Sequence, residues 1–182
     1  IHAFLIRGSG RIDDIRTFAD DGGVLEDAED GNTDGWTVYV NTSGAASIIN
    51  VESADKQSRV IRLAGDGRSD GYRFDINQDV NPNSQLNWSL NYSETFAIFV
   101  SVETANGRRY LTYSPRDDNR GLSGQYVLLG VGANAANGRW QTFNRNLSED
   151  LAGAEAGNTI TRINSFMIRG SGEVDDIALI GN

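Results

Sequence analysis

The chain has 182 residues, enough for one domain with a real core, and its 25 acidic against 16 basic side chains leave a formal net charge of −9. It has no cysteine and a single histidine, His2, which leaves no basis for a disulfide framework, thiol catalysis, cysteine-ligated zinc or a histidine triad. The acidic balance argues against nucleic acid and anionic membranes and suits hard cations such as calcium, and no apolar run has the length of a membrane span or a signal-peptide core.

The chain opens on Phe-Leu-Ile-Arg-Gly-Ser-Gly-Arg-Ile-Asp-Asp-Ile, Phe4 to Ile15, a stretch that returns almost verbatim at Phe166 to Ile177. Each copy reads as an apolar strand, a Gly-Ser-Gly hairpin turn and a second strand holding two aspartates. By strand alternation Asp175 shares a face with Ile177 and Leu179, and Asp13 with Ile15, so the first aspartate of each pair is expected on the inward side. A buried carboxylate needs a pairing partner, hydrogen bonds or a cation.

After a turn-like Ala19 to Gly23 comes a dense acidic loop, Glu26 to Gly35, closed by Trp36. Strands are predicted at 37–41, 46–52, 58–64 and 72–76, then at 86–92 and 96–102, where apolar and polar residues alternate most clearly. Asn106-Gly107 and Asn137-Gly138 signal hairpins ahead of strands at 108–114 and 139–145, with another strand at 125–131 between them. Ser148-Glu149-Asp150 reads as the N-cap and first turn of one short helix ending by Gly157, and the chain returns through 159–168 into the second copy. About ten strands, one short helix, 21 glycines and two prolines make an all-β fold, a jelly-roll β-sandwich with one short helix.

Asp30-x-Asn32-x-Asp34-Gly35 is the first half of a calcium-loop pattern, but Asn41 stands where an EF-hand needs its bidentate glutamate, so an Asx-rich turn explains it equally. Ala28-Glu29-Asp30-Gly31 with Gly35-Trp36, and Val174-Asp175-Asp176-Ile177 near the end, resemble the opening and closing motifs of the galactose-binding-like jelly rolls, which include many carbohydrate-binding modules. The resemblance runs from about Leu25 to the C-terminus and implies a structural calcium held by Glu29 and Asp175. Leu25-Glu26-Asp27 is a competing alignment that makes Glu26 a second candidate, and the family's aromatic is replaced by Ala28. Against calcium stands a salt bridge from Asp175 to Arg169, which has its counterpart in Arg7.

The resemblance also implies a polysaccharide or glycan partner. Sugar recognition needs exposed aromatics beside planar hydrogen-bonding groups. Tyr72, Arg109, Tyr110, Tyr113 and Trp140 are the candidates, with Tyr126 in the same stock, although core packing competes at each, and Trp36 and Trp88 read as core. Glu173-Val174-Asp175-Asp176-Ile177 resembles the catalytic strand of laminarinase-type hydrolases, but Ala178 stands in place of the acid/base glutamate. Arg108, Arg109, Tyr110 and Tyr113 leave a polysaccharide-lyase reading open.

The chain thus reads as a non-catalytic, calcium-stabilised carbohydrate-binding module of a secreted or cell-surface bacterial protein, with no membrane insertion. A structural or adhesive tandem repeat is the alternative. Residues 1–17 are read as an extra hairpin, either the end of a preceding tandem module or one half of an internal duplication, and residues 18–182 as the jelly roll.

Overall fold

The computed structural model describes residues 23–181. The first Arg-Gly-Ser-Gly copy, with Asp13 and Arg7, and the proposed boundary at residue 17 lie outside them. Thirteen strands and one α-helix are described: β1 (Val24–Glu26), β2 (Trp36–Asn41), β3 (Ser47–Ser53), β4 (Ser58–Ala64), β5 (Asp70–Asp79), β6 (Gln85–Asn91), β7 (Ala97–Thr104), β8 (Arg109–Ser114), β9 (Gly121–Ser123), β10 (Tyr126–Gly130), β11 (Gln141–Asn146), α1 (Leu147–Ala154), β12 (Ile160–Arg169) and β13 (Gly172–Ile180). Among the described residues no helix is long and apolar enough to cross a membrane.

The strands form two sheets packed as a jelly-roll sandwich. One runs β11-β6-β13-β4-β3, with β1 also on β13, and the other runs β2-β5-β12-β7-β8-β10-β9. All pairings are antiparallel except that of β8 with β10. Alternating residues of both sheets point inward. Trp88 on β6 is fully buried and meets Tyr113 and Phe166 of the opposite sheet at 5.3 and 5.7 Å and Phe143 of its own sheet at 5.6 Å between ring centres.

The second Arg-Gly-Ser-Gly copy is not a hairpin. Strand β12 lies between β5 and β7 in one sheet, whereas β13 lies between β6 and β4 in the other, so Gly170-Ser171 is an arch that carries the chain across the sandwich. Its composition follows from that crossing. Gly170 has φ +130°, and a Cβ there would stand 3.1 Å from Phe96 and Tyr92; one at Gly172 would stand 2.5 Å from the Tyr92 ring. Between them Ser171 donates its N–H to Glu94 (2.7 Å) and its hydroxyl to the Gly65 carbonyl (3.2 Å).

Asn137-Gly138 is likewise no hairpin, because β10 joins β8 while β11 joins β6 across the sandwich. The helix cap is Asn146 rather than Ser148: its side-chain oxygen accepts from the N–H groups of Ser148 and Glu149, both at 3.1 Å. Two three-residue strands, β1 and β9, are too short to leave a period in the sequence. Substituting Gly172→Ala should cost about 1–3 kcal/mol of stability by forcing a methyl against Tyr92, read as a lower urea midpoint with an unchanged m-value.

Candidate functional site

The outer face of the seven-stranded sheet carries the exposed aromatic groups. On β8, Leu111 and Tyr113 are fully buried, which turns Tyr110 and Thr112 outward. Parallel pairing sets Tyr126 directly beside Tyr110; their rings stack at 5.3 Å with planes 23° apart, and Tyr126 is 44% exposed. Phe99 on β7 meets Tyr126 edge-on at 6.3 Å. The register continues the platform across the sheet, with Arg73, Met167, Phe99, Thr112 and Leu128 in one row and Asp75, Ser165, Ser101, Tyr110 and Tyr126 in the next.

Hydrogen-bonding groups lie on other strands of the same face. Arg73 Nε donates to Asp75 Oδ1 at 2.6 Å. Glu103 Oε1 accepts from Arg108 (2.6 and 2.9 Å) and from Asn164 Nδ2 (3.0 Å), and the Arg108 bonds hold its carboxyl below the usual range. Flat rings beside fixed donors and acceptors can stack on an apolar molecular face while bonding the polar groups at its edge.

Of the five residues expected to contact sugar, Tyr110 alone lies on this face. Tyr72 and Tyr113 are core residues with no exposed surface, because each falls in the inward phase of its strand. Burial pushes the Tyr72 phenol up to about 12, and Tyr113 donates to Asp150 Oδ2 at 2.7 Å. Arg109 shares the inward phase of Leu111 and Tyr113 and clamps the helix end, its Nε and Nη2 donating to Glu155 at 2.8 and 2.9 Å. Trp140 is half-buried against the other sheet, beneath the Lys56 ammonium at 4.9 Å from its ring centre. Phe99, Arg73, Asp75 and Asn164 were not singled out from the sequence. Reading the β8 phase outward from Leu111 would have separated Tyr110 from Tyr113, but the rings and charges that neighbouring strands add depend on register.

Of the expected calcium ligands, Glu29 and Asp175 take separate partners, whereas Glu26, Asp30 and Asp34 line one open cavity. Glu29 spends one oxygen on the Ser58 hydroxyl (2.5 Å) and Arg59 N–H (3.1 Å). Glu26 lies beside β13, accepting from Ala28 N–H (2.7 Å) and Trp36 Nε1 (2.8 Å), with burial pushing its carboxyl up. Asp30 closes a turn with Asn32. Together with Asp34, Asp27, Glu26 and Asp75 it lines an open cavity of about 430 Å³. Asn50 Nδ2 donates to the loop carbonyls of Ala28 (2.7 Å) and Asn32 (2.9 Å), taking oxygens that a cation would use. Among the described residues no three acidic or histidine groups gather as a metal site.

Asp175 points the other way from expectation. It sits opposite Ser89, whose neighbours Trp88 and Leu90 are the inward pair, and Val174 fills the core. A bulge at Asp176, φ +57°, restores Ile177 and Leu179 to the inward phase. Asp175 is nevertheless 1% exposed because the β3–β4 turn folds over it. Lys56 Nζ stands 3.6 Å from Asp175 and 2.6 Å from Asp176, supplying the counter-charge, while Arg169 lies over Tyr39. A calcium ion bridging Glu29 and Asp175 therefore does not fit these residues.

No family model matches the sequence, and no curated protein matches it. Solved structures do share the fold. The family 11 carbohydrate-binding module from Clostridium thermocellum, solved with a β-1,3-1,4-mixed-linked tetrasaccharide, superposes with TM-score 0.51 at 14% identity over 88% of this chain and 95% of its own. The family 11 module of a cellulosomal cellulase of Clostridium thermocellum gives TM-score 0.50 at 14% identity over 90% of this chain and 96% of its own. The chain shares the jelly-roll fold of these modules.

Three measurements check this assignment of charges. Burial, reinforced by the Asp176 charge, pushes Asp175 up to about 7 despite Lys56, so its contribution to stability is largest at low pH and is lost as pH rises from about 4 to about 7. Lys56→Met should cost about 3–5 kcal/mol near pH 8 and less near pH 5, and excess chelator should leave the wild-type Tm unchanged. Glu155 behaves oppositely: Arg109, Asn106 and Asn158 hold it down to about 2, so its stabilisation is present above about pH 4.3 and fades as pH falls towards 2. The Tm advantage of wild type over Glu155→Gln should shrink in step across that window.

Proposed function

We propose that this chain is a non-catalytic carbohydrate-binding module of an extracellular protein, and that it binds a neutral polysaccharide on the outer face of the seven-stranded sheet. The observation that carries this reading is the stacked Tyr110–Tyr126 pair, with Tyr126 exposed and Tyr110 and Phe99 half-buried beside it. Large rings normally withdraw from water, and a contiguous group of them open to it marks a contact surface. The shared fold with a module solved in complex with a β-1,3-1,4-mixed-linked tetrasaccharide supports the same class of partner.

The mechanism is stacking with edge recognition. An axial-hydrogen face of a pyranose is apolar and flat enough to lie on Tyr110 and Tyr126, while hydroxyls of that unit and of units further along the chain meet the Glu103–Asn164 and Arg73–Asp75 groups. Those polar groups are already oriented by each other, so little side-chain freedom remains to be lost on binding. The carboxylates on this face are engaged with arginines and serve as acceptors.

The test is binding of soluble β-glucans and other neutral polysaccharides by affinity electrophoresis and calorimetry. Tyr110→Ala and Tyr126→Ala should each weaken binding by about tenfold or more, equivalent to about 1.4 kcal/mol, with Tm within about 2 °C of wild type. Unchanged affinity in both variants, or no retention by any neutral polysaccharide, would favour a structural spacer.

A further inference from the structure

The face of the other sheet is built differently. A second open cavity, about 530 Å³, lies on the outer side of the six-stranded sheet. Its floor is β13, where Glu173 sits directly opposite Arg62 of β4 and Asn91 of β6. The end of β3 and its turn wall one side with Ser53 and Asp55, and Ser93 walls the other. Gly138 and Gly172 line it without side chains, and it holds no aromatic ring.

Three features make this a formed recess rather than a gap between loops. Glu173 is held fast: its Oε1 accepts from Arg62 Nε (3.1 Å) and Nη2 (2.8 Å), and its Oε2 from the Ser53 hydroxyl (3.3 Å). The Glu173 side chain is 15% exposed and that of Arg62 45%, so the arginine fork keeps donors turned to solvent. Asn91 and Ser93 enter no side-chain hydrogen bond among the described residues, leaving an amide and a hydroxyl unspent at the floor and wall.

We propose that this recess is a second ligand site, which takes a single neutral sugar unit by hydrogen bonding alone. Each sugar hydroxyl both donates and accepts, and the recess alternates the two roles: Arg62 donates, Glu173 and Asp55 accept, and Asn91 and Ser93 do both. The volume suits a small ligand. Charge selects against acidic sugars, because Glu52, Asp55 and Glu173 outweigh Arg62. The absence of stacking groups separates this site from the tyrosine platform, which lies on the opposite sheet and stacks a chain instead of a unit.

The experiment uses a Tyr110→Ala/Tyr126→Ala double variant, so that success or failure here is independent of the platform. Its amide NMR spectrum is titrated separately with glucose, galactose, mannose and xylose, and then with galacturonate. The expected result is a saturable shift of the Arg62, Asn91, Ser93 and Glu173 signals with at least one neutral sugar. Binding should be weakened about tenfold or more by Asn91→Ala and by Glu173→Gln, and galacturonate should bind more weakly than galactose. No saturable shift with any of the four neutral sugars, binding indifferent to both substitutions, or galacturonate equal to galactose would overturn the proposal. Asn91→Ala removes no intramolecular side-chain bond, so it tests the recess even if Glu173→Gln impairs folding.

Discussion

The crossing from β12 to β13 is the constraint on which the rest of the sandwich depends. One strand is central to each sheet, and Gly170-Ser171 alone joins them. A connection so short holds the two sheets at a set distance and offset, and it does so only because Gly170 and Gly172 allow Tyr92 and Phe96 to press against the backbone. The offset in turn brings Trp88 of one sheet between Tyr113 and Phe166 of the other. A core filled at crystal-like density tolerates no slippage in that register, and the outward residues inherit their rows from it.

The two outer faces then diverge through their coverings. On the six-stranded sheet the β3–β4 turn folds back, and Lys56 comes to rest on Trp140, Asp175 and Asp176. That sheet therefore has a small outer layer of its own, with the polar recess at its margin. The β8–β10 half of the seven-stranded sheet leaves Tyr126 exposed and Tyr110 half-buried beside it. Helix α1 instead secures the sandwich from inside, through Tyr113 and Arg145 on Asp150 and Arg109 on Glu155.

Sequence periodicity carried most of the architecture. The alternation at 86–92 and 96–102 identified β6 and β7 with their inward faces, and 58–64 coincides with β4. Pairing was less legible: Gly-Ser-Gly and Asn-Gly look alike whether the chain turns back within a sheet or crosses to the other, because the local backbone requirement is the same. For the candidate site, Tyr110 was among the residues singled out, but Tyr72, Tyr113 and Arg109 went to the core or its rim because tyrosine and arginine are amphipathic enough for either face. The Asp175 phase failed through one bulged residue, Asp176, and a bulge inverts every inference beyond it. Lys56 could not be foreseen as the partner of Asp175, since their meeting depends on how a hairpin turn folds over a sheet.

The most direct measurement is a crystal structure of the chain grown with a mixed-linked β-glucan oligosaccharide. The account predicts sugar rings stacked on Tyr110 and Tyr126, with hydroxyls against the Arg73–Asp75 and Glu103–Asn164 groups. An oligosaccharide bound elsewhere while those rings stay bare would contradict it.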